Sequence, residues 1–258
     1  MSGDGVRVTF LGSGTSHGVP MIGCRCAVCI STDPRDNRLR PSILIDTPDG
    51  NALLVDTGPD LRTQALRQGL ARVDAVLFTH PHADHLLGLD EVRRFNTLQR
   101  RPMPCYGSPA TLVEVRRVFA YAFESRQEGG GVPRLDLRPV EGPFAIGRTV
   151  VTPVPVMHGD LPILGYRVGA FAYLTDCSAI PDASWPLLDG IRVLAVDALR
   201  HRPHPTHFTV AQAVEAGARA GAARTLLTHI AHDLGHAETS ARLPAGVELA
   251  YDGLMVEV

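Results

Sequence analysis

Short apolar runs bounded by Gly, Pro or Asp recur along the whole chain. They are rich in Val, Leu and Ile, and runs of this length and composition are typical of buried β-strands. The pattern predicts strands at Val6–Leu11, Ser42–Asp46, Ala52–Asp56, Ala75–Thr79, Leu135–Val140, Val150–Met157, Phe171–Thr175, Val193–Asp197, Arg224–Thr228 and Glu248–Val258.

Between some of these runs, apolar residues recur every three to four positions, which indicates amphipathic helices. The clearest stripe is Val210–Ala222, and Thr209 and Gln212 have the spacing of a capping box at its start. The other predicted helices are Pro59–Gly69, Leu86–Leu98 and Pro109–Phe123. Glu128–Gly131 contains three glycines and predicts a flexible loop. Helices that do not strictly alternate with strands favour two sheets with helices outside, in one domain spanning residues 1–258.

The composition describes a folded protein with ample length for a hydrophobic core, since 45% of the 258 residues are hydrophobic and 20% are charged. All 25 basic residues are Arg, so the sequence excludes Schiff-base catalysis, a lysine general base and a Walker-type phosphate loop. The net charge of −2 comes without a basic tail and disfavours nucleic acid as a partner.

The sequence contains few features that indicate a cellular location. No apolar run approaches the ~18 residues that span a bilayer, so we expect no membrane association. Met1–Gly5 lacks the charged and apolar pattern of a signal peptide. Three of the five cysteines crowd into residues 24–29, a spacing that favours a metal site in a reducing compartment over a disulfide framework. The expected location is therefore the cytoplasm.

Four residues of metal-ligand type occur within six positions, as His80, His82, Asp84 and His85. They follow an apolar run at residues 73–78 and precede a predicted helix. A strand-to-helix turn points successive side chains into one pocket, so this motif can present three imidazoles and a carboxylate to metal.

Two adjacent metal ions need about seven ligands, so more distant residues must contribute. The candidates are His158, Asp176 and His229, each of which lies where an apolar strand ends. Functional side chains commonly occupy such positions in layered folds. A carboxylate such as Asp176 can bridge two cations and hold them roughly 3.5–4 Å apart.

In this order, these seven residues resemble the ligand set of the metallo-β-lactamase superfamily of hydrolases. The resemblance implies an αββα sandwich, with two mixed sheets flanked by helices and the site at the sheet edge. It assigns His80, His82 and His158 to one metal ion and Asp84, His85 and His229 to the other. Asp176 and a hydroxide would bridge the two ions. By the same resemblance, Asp84 is both a metal ligand and a catalytic residue.

The same superfamily carries an early carboxylate in a strand and turn that resemble Leu54–Gly58. By this resemblance Asp56 would accept a hydrogen bond from a ligand histidine. Such a contact fixes the orientation of the imidazole ring.

The cysteine cluster narrows the resemblance to one family within the superfamily. Cys24, Cys26 and Cys29 supply three thiolates, one short of a tetrahedral Zn²⁺ site, and His232 can supply the fourth ligand while His229 points into the catalytic pocket. Gly12–Thr15, Gly23–Cys29 and His229–His232 resemble the phosphoribosyl cyclic phosphate phosphodiesterases of the carbon–phosphorus lyase pathway. That resemblance implies a structural Cys₃His zinc, with a zinc loop at about residues 23–30. A redox role for the cysteines is the alternative interpretation.

A second histidine cluster precedes the capped helix. By similarity His207 matches the histidine with which these phosphodiesterases protonate the leaving oxygen, a task that suits a group titrating near neutral pH. His204 is the alternative residue for this role. Arg200 and Arg202 are candidates for binding substrate phosphate.

These expectations describe a dinuclear phosphodiesterase for small, cyclic phosphate esters such as phosphoribosyl 1,2-cyclic phosphate. Its cofactors would be two divalent ions, with Mn²⁺, Zn²⁺ and Fe²⁺ left open, and one structural Zn²⁺. A homodimer would be consistent with the resemblance, although no sequence pattern supports it.

Three alternative functions use the same fold. A tRNA 3′-processing endonuclease shares the ligand set but needs a basic arm, and none stands out here. Thioester, lactone or lactam hydrolysis would leave the cysteine cluster and His207 without a purpose. A non-hydrolytic cofactor-biosynthesis protein resembling pyrroloquinoline quinone protein B would also carry an N-terminal zinc loop.

Overall fold

The computed structural model describes residues 5–124 and 131–258 and contains two seven-stranded mixed sheets. The strands of the first sheet are β1 (Arg7–Gly12), β2 (Ser42–Asp46), β3 (Ala52–Val55), β4 (Ala75–Leu77), β5 (Met103–Gly107), β6 (Leu135–Pro139) and β14 (Met255–Glu257). They lie in the order β14-β1-β2-β3-β4-β5-β6. Pairing is antiparallel from β14 to β3 and parallel from β3 to β6.

The second sheet has the same mixed organisation. Its strands are β7 (Phe144–Ile146), β8 (Thr149–His158), β9 (Leu161–Val168), β10 (Phe171–Leu174), β11 (Val193–Asp197), β12 (Arg224–Thr228) and β13 (Val247–Leu249). They lie in the order β13-β12-β11-β10-β9-β8-β7. The strands β10 to β13 are parallel, and β7 to β10 are antiparallel.

The main core lies between the sheets. Phe10 and Ile43 of the first sheet and Tyr166 and Phe171 of the second belong to one cluster of buried side chains. Because neighbouring residues of a strand point to opposite faces, the alternate positions form two further clusters on the outer faces of the sheets.

Helices cover both outer faces. They are α1 (Leu61–Arg67), α2 (Ala83–Leu86), α3 (Val92–Gln99), α4 (Pro109–Val118), α5 (Val210–Arg219) and α6 (His236–Ser240). Apolar residues of α1, α3 and α4 pack on the first sheet, and those of α5 pack on the second. This arrangement confirms the predicted αββα sandwich, and the capping box of Thr209 and Gln212 is also present.

Most predicted strands are present, but the last one is wrong. Glu248–Val258 divides into β13 and β14, which belong to different sheets, because the chain turns at Gly253 with φ of 92°. The strands β5, β7 and β9 were not predicted. Internal Pro and Gly interrupt the apolar pattern of β5 and β9, where Pro removes a backbone donor and Gly weakens strand propensity.

The predicted helix Leu86–Leu98 is also divided. The short helix α2 ends at Leu86, a 3₁₀ turn follows at Leu89–Glu91, and α3 then begins at Val92. Of the predicted loop Glu128–Gly131, all residues except Gly131 lie outside the described part of the chain. Within the described ranges, no helix combines the length and apolarity that a bilayer crossing requires.

The packing of α5 on β12 generates a stability prediction. An added Cβ at Gly217 would lie 2.1 Å from Thr225 Oγ1. Gly217→Ala should therefore lower the free energy of unfolding by about 1–3 kcal/mol, although alanine is the better helix former by roughly 1 kcal/mol. Denaturant unfolding measures this change. Glu215→Ala, on the exposed face of α5, is the control and should shift stability by less than about 0.5 kcal/mol. A more stable Gly217→Ala protein would contradict the close packing.

Candidate functional site

Three residues at strand ends adopt left-handed backbone conformations. Asp56 (φ 62°), Asp176 (φ 54°) and His229 (φ 58°) follow β3, β10 and β12. Residues other than Gly rarely occupy this region, and each instance costs about 1–3 kcal/mol. The same strain at three strand ends indicates a functional constraint on the direction of these side chains.

Three histidines form the first group of candidate ligands. One ligand atom each from His80, His82 and His158 lies within 4.8 Å of the others. The rings of His80 and His158 are fixed through Nδ1, which donates to Thr79 Oγ1 at 3.0 Å and to the carbonyl of Thr206 at 2.8 Å. Their Nε2 atoms therefore remain free to bind a metal ion.

The second group combines Asp84, His85, Asp176 and His229, all of which are buried. The two oxygens of Asp176 lie 3.1 Å from His85 Nε2 and 3.1 Å from His229 Nε2. Asp84 lies 3.2 Å from His85 Nε2. Asp176 also groups with His158 of the first set, so this carboxylate lies between the two ligand groups.

Asp56 orients His85 of the second group through hydrogen bonds. It accepts hydrogen bonds from the Thr79 amide at 2.9 Å, from Thr79 Oγ1 at 2.8 Å and from His85 Nδ1 at 2.7 Å. These bonds leave His85 Nε2 facing the other carboxylates. The loop carrying Asp56 also touches the ligand loop, because an added Cβ at Gly58 would lie 2.1 Å from the carbonyl oxygen of Asp84.

The electrostatics of these groups suit divalent cations. The Nε2 atoms of His80, His85 and His229 are buried and have no hydrogen-bond partner among the described residues. Burial, together with nearby His85, holds the pKa of His80 well below its usual value, which leaves a neutral imidazole. Burial disfavours charge on Asp84, but His85 and His229 hold its pKa below the usual range. Burial opposes charge on His85 and His229, but the neighbouring carboxylates, Asp176 first, raise the pKa of His85 well above its usual value and that of His229 to about 10, so both residues release a proton when they bind metal. Imidazoles beside buried carboxylates form a donor set that fits two metal ions.

His207 lies beside both groups. Its ring centroid is 4.8 Å from that of His158 and 4.7 Å from that of His229. Nδ1 of His207 donates to Asp197 Oδ2 at 2.9 Å. Burial, reinforced by His229, lowers the pKa of His207 to about 4. The ring therefore holds its Nδ1 proton against Asp197 and leaves Nε2 free.

The sequence analysis missed Asp197. This fully buried residue ends the apolar strand β11, and its Oδ1 lies 3.7 Å from His229 Nδ1. The rule that identified Asp176, a polar residue at the end of an apolar strand, applies equally to Asp197. It therefore contacts both the proposed proton donor and a proposed ligand.

The other candidates of this segment lie further from the ligand groups. The ring of His204 is 5.0 Å from that of His207, and its Nδ1 accepts hydrogen bonds from the Thr206 amide and hydroxyl. Arg202 pairs with Asp233 at 2.8 Å. Arg200 donates to the carbonyls of Arg202 and Pro203. The guanidinium groups of both arginines therefore already pair with neighbouring surface groups.

The three clustered cysteines meet His232. Its Nδ1 lies 3.2 Å from Cys24 Sγ, 3.3 Å from Cys26 Sγ and 3.6 Å from Cys29 Sγ. A tetrahedral zinc ion with ordinary Zn–S and Zn–N bonds separates such atoms by about 3.5 Å, so the four side chains fit this ion. The amide of Cys29 donates to Cys26 Sγ and lowers the pKa of that thiol to about 6.

His229 and His232 belong to different groups although only two residues separate them. The intervening backbone is held on both sides, since Ile230 donates to the carbonyl of Ser13 at 2.9 Å and Ala231 donates to that of Leu199 at 3.0 Å. One short loop therefore contributes a residue to the catalytic candidate site and another to the cysteine cluster.

Comparisons with known proteins agree with this geometry. A family model described as the beta-lactamase superfamily domain matches residues 51–230. A crystal structure of a new diphosphatase from the PhnP family is 46% identical, with a TM-score of 0.92 over 98% of this chain and 97% of that chain.

Two curated relatives are matched over only part of their length. An octanoyltransferase of Porphyromonas gingivalis is 40% identical over 253 residues, which are 96% of this chain and 51% of the relative. Coenzyme PQQ synthesis protein B of Methylorubrum extorquens is 35% identical over 129 residues, or 44% of this chain and 42% of the relative. The chain thus spans about half the length of the first relative and less of the second.

The family match covers more than half of the chain, and the matched segment includes all seven proposed ligands. The fold and the overall similarity to the PhnP-family structure lead to the same assignment. The chain belongs to the metallo-β-lactamase superfamily of hydrolases and is related to the PhnP family.

Proposed function

We propose that this protein is a metal-dependent phosphodiesterase that hydrolyses small phosphate esters, including cyclic ones such as phosphoribosyl 1,2-cyclic phosphate. The observation that carries the proposal is the pair of buried Asp197 and partly buried His207 beside two ligand groups, with Asp176 of the second group also close to His158 of the first. The similarity to a diphosphatase supports cleavage of a bond to phosphorus.

In this proposal each ligand group would hold one divalent ion, and Asp176 would be a ligand of both. Two such ions, Mn²⁺ or Zn²⁺, lower the pKa of a bound water and offset negative charge on phosphoryl oxygens. Asp84 and Asp176 hold and orient the attacking water through their carboxylates. Asp56 keeps His85 in the tautomer that leaves Nε2 free.

His207 supplies the proton that the leaving group needs. Attack of the water oxygen forms one P–O bond and breaks another, and the departing ester oxygen carries the electron pair. Because Asp197 retains the Nδ1 proton and the lowered pKa of His207 leaves Nε2 unprotonated, Nε2 takes the proton that the attacking water gives up and passes it to that oxygen. General acid catalysis of this kind is typically worth 10²–10⁴-fold.

Diphosphate hydrolysis is the second candidate, favoured by the 46% identity to a diphosphatase. The same ligand groups would serve it, but its leaving group is a phosphate, which needs protonation less than a sugar alkoxide does. A panel containing a ribose cyclic phosphate, an alkyl diphosphate and bis(p-nitrophenyl) phosphate distinguishes the two reactions. Thioester and lactam substrates in the same panel test the remaining activities of the fold.

We propose a small phosphate ester as the partner of this site, and neither nucleic acid nor a membrane. The chain has net charge −2, whereas binding to a tRNA backbone relies on clustered basic side chains. The buried His207 pair also favours a hydrolase over a non-hydrolytic cofactor-biosynthesis protein, which would have no use for a proton donor at the ligand groups.

The first prediction concerns the leaving group. His207→Ala should depress turnover of an alkyl cyclic phosphate by about 10²–10⁴-fold and that of an aryl diester much less, because p-nitrophenolate leaves without a proton. Asp197→Asn should show the same difference between the two substrates, with smaller losses of turnover. Steady-state kinetics at equal metal content measure both. His204→Ala is the control, and equal losses on both substrates with His207→Ala would refute the proton-donor role.

The second prediction concerns the cysteine cluster, for which we propose a structural Zn²⁺ that suits a reducing cytoplasm. Cys26→Ser should lose one equivalent of zinc and lower the melting temperature, since Ser is a poorer zinc ligand than a thiolate. Metal analysis and thermal unfolding measure these losses. Cys105→Ser tests a buried cysteine outside the cluster and should keep its zinc. A Cys26→Ser protein with full zinc content and parental stability would overturn the structural zinc.

A further inference from the structure

A fully buried arginine connects the segment after the zinc loop to the last loop of the candidate site. The side chain of Arg38 is 0% exposed. Its guanidinium donates to the carbonyls of Ala231 at 3.2 Å and Leu234 at 2.8 Å, and to Asp36 Oδ1 at 2.9 Å. Its Nε also donates to the carbonyl of Arg35.

These bonds converge on residues 229–236, which we call the histidine loop. Ala231 and Leu234 flank His232, and His229 begins the loop. Asp36 reinforces the same contact, because its Oδ1 also accepts the amide of His236 at 2.8 Å. The Arg38 and Asp36 pair thus binds the histidine loop at three backbone positions.

The backbone of Arg38 is held by Val19, which lies outside the histidine loop. Arg38 and Val19 exchange two hydrogen bonds at 2.7 and 2.8 Å. Gly14 lies close behind, where an added Cβ would come within 2.9 Å of the Arg38 Cβ. The guanidinium therefore projects from a backbone that has its own hydrogen bonds to Val19, and Gly14 of the same segment also pairs with Ile230 of the histidine loop.

A buried guanidinium is costly unless each donor has a partner. Here one carboxylate and three carbonyl oxygens supply these partners, and two of the carbonyls belong to the histidine loop. Any shift of this loop would leave a buried cation with unpaired N–H groups. The contact therefore favours a single position of the loop and resists displacement of His229.

We propose that Arg38 is a positioning residue that fixes His229 through the histidine loop, so that metal affinity at the Asp84, His85 and His229 group depends on it. The inference rests on the proposed metal centre and assigns a role to a residue whose side-chain hydrogen bonds go to backbone carbonyls and Asp36, not to a proposed metal ligand. The group of His80, His82 and His158 is anchored elsewhere, through Thr79 and Thr206, and should not respond.

The test measures metal binding and needs no substrate. Arg38→Met, Arg38→Lys and Asp36→Asn proteins that keep the structural zinc, but from which mild chelation has removed other metal, are titrated with Mn²⁺ by calorimetry beside the parent. His80→Ala, made in each background, removes the first group and isolates binding at the second. We expect Arg38→Met to weaken the second group by about 10–100-fold, the range for residues that orient metal ligands. Arg38→Lys and Asp36→Asn should fall between Arg38→Met and the parent.

A stability control separates positioning from general destabilisation. Val151→Ala truncates a fully buried residue at the end of β8 remote from His158. It should lower the melting temperature without changing the Mn²⁺ affinity of either ligand group. Parental affinity at the second group in the Arg38 and Asp36 variants would overturn the inference alone. An equal loss in Val151→Ala would overturn it too. A parent that binds no metal at the second group would overturn the metal centre itself, and this inference with it.

Discussion

The arrangement of the candidate site follows from the burial of Asp176. This carboxylate is almost inaccessible to solvent, and its two oxygens each lie 3.1 Å from an imidazole nitrogen. A carboxylate is costly to bury unless charged or hydrogen-bonding groups surround it. His85, His229 and Thr175 meet that requirement at one face, and divalent cations would meet it more fully. The surrounding loops are organised to keep these groups together.

The fold accepts local strain to achieve this. Asp56, Asp176 and His229 leave their strands in left-handed conformations, and the interior packing of two large sheets offsets that cost. The loops themselves are fixed by backbone contacts that only glycine permits. An added Cβ at Gly88 would lie 2.0 Å from the carbonyl oxygen of Gly58, so the Asp56 loop and the His85 segment pack directly on each other.

Much of the architecture could be predicted from periodicity, because most strands are continuous apolar runs. The strands that escaped prediction contain Pro or Gly or, like β7, have only three residues. Asp197 had a readable position at a strand end, but its separation of ten residues from His207 gave no sign in the sequence that the two side chains meet. The role of Arg38 was unreadable, since its partners are carbonyls of residues 231 and 234, nearly two hundred positions away. Every residue has a backbone carbonyl, so a hydrogen bond to that oxygen does not restrict which residue type accepts it.

The proposed reaction depends most directly on two metal ions that both bind Asp176. Anomalous diffraction from crystals of the protein grown with Mn²⁺, recorded on both sides of the manganese edge, measures their number and positions. We expect two manganese peaks about 3.5–4 Å apart on either side of the Asp176 carboxylate. A single peak, or two peaks that do not both contact Asp176, would contradict the proposed reaction.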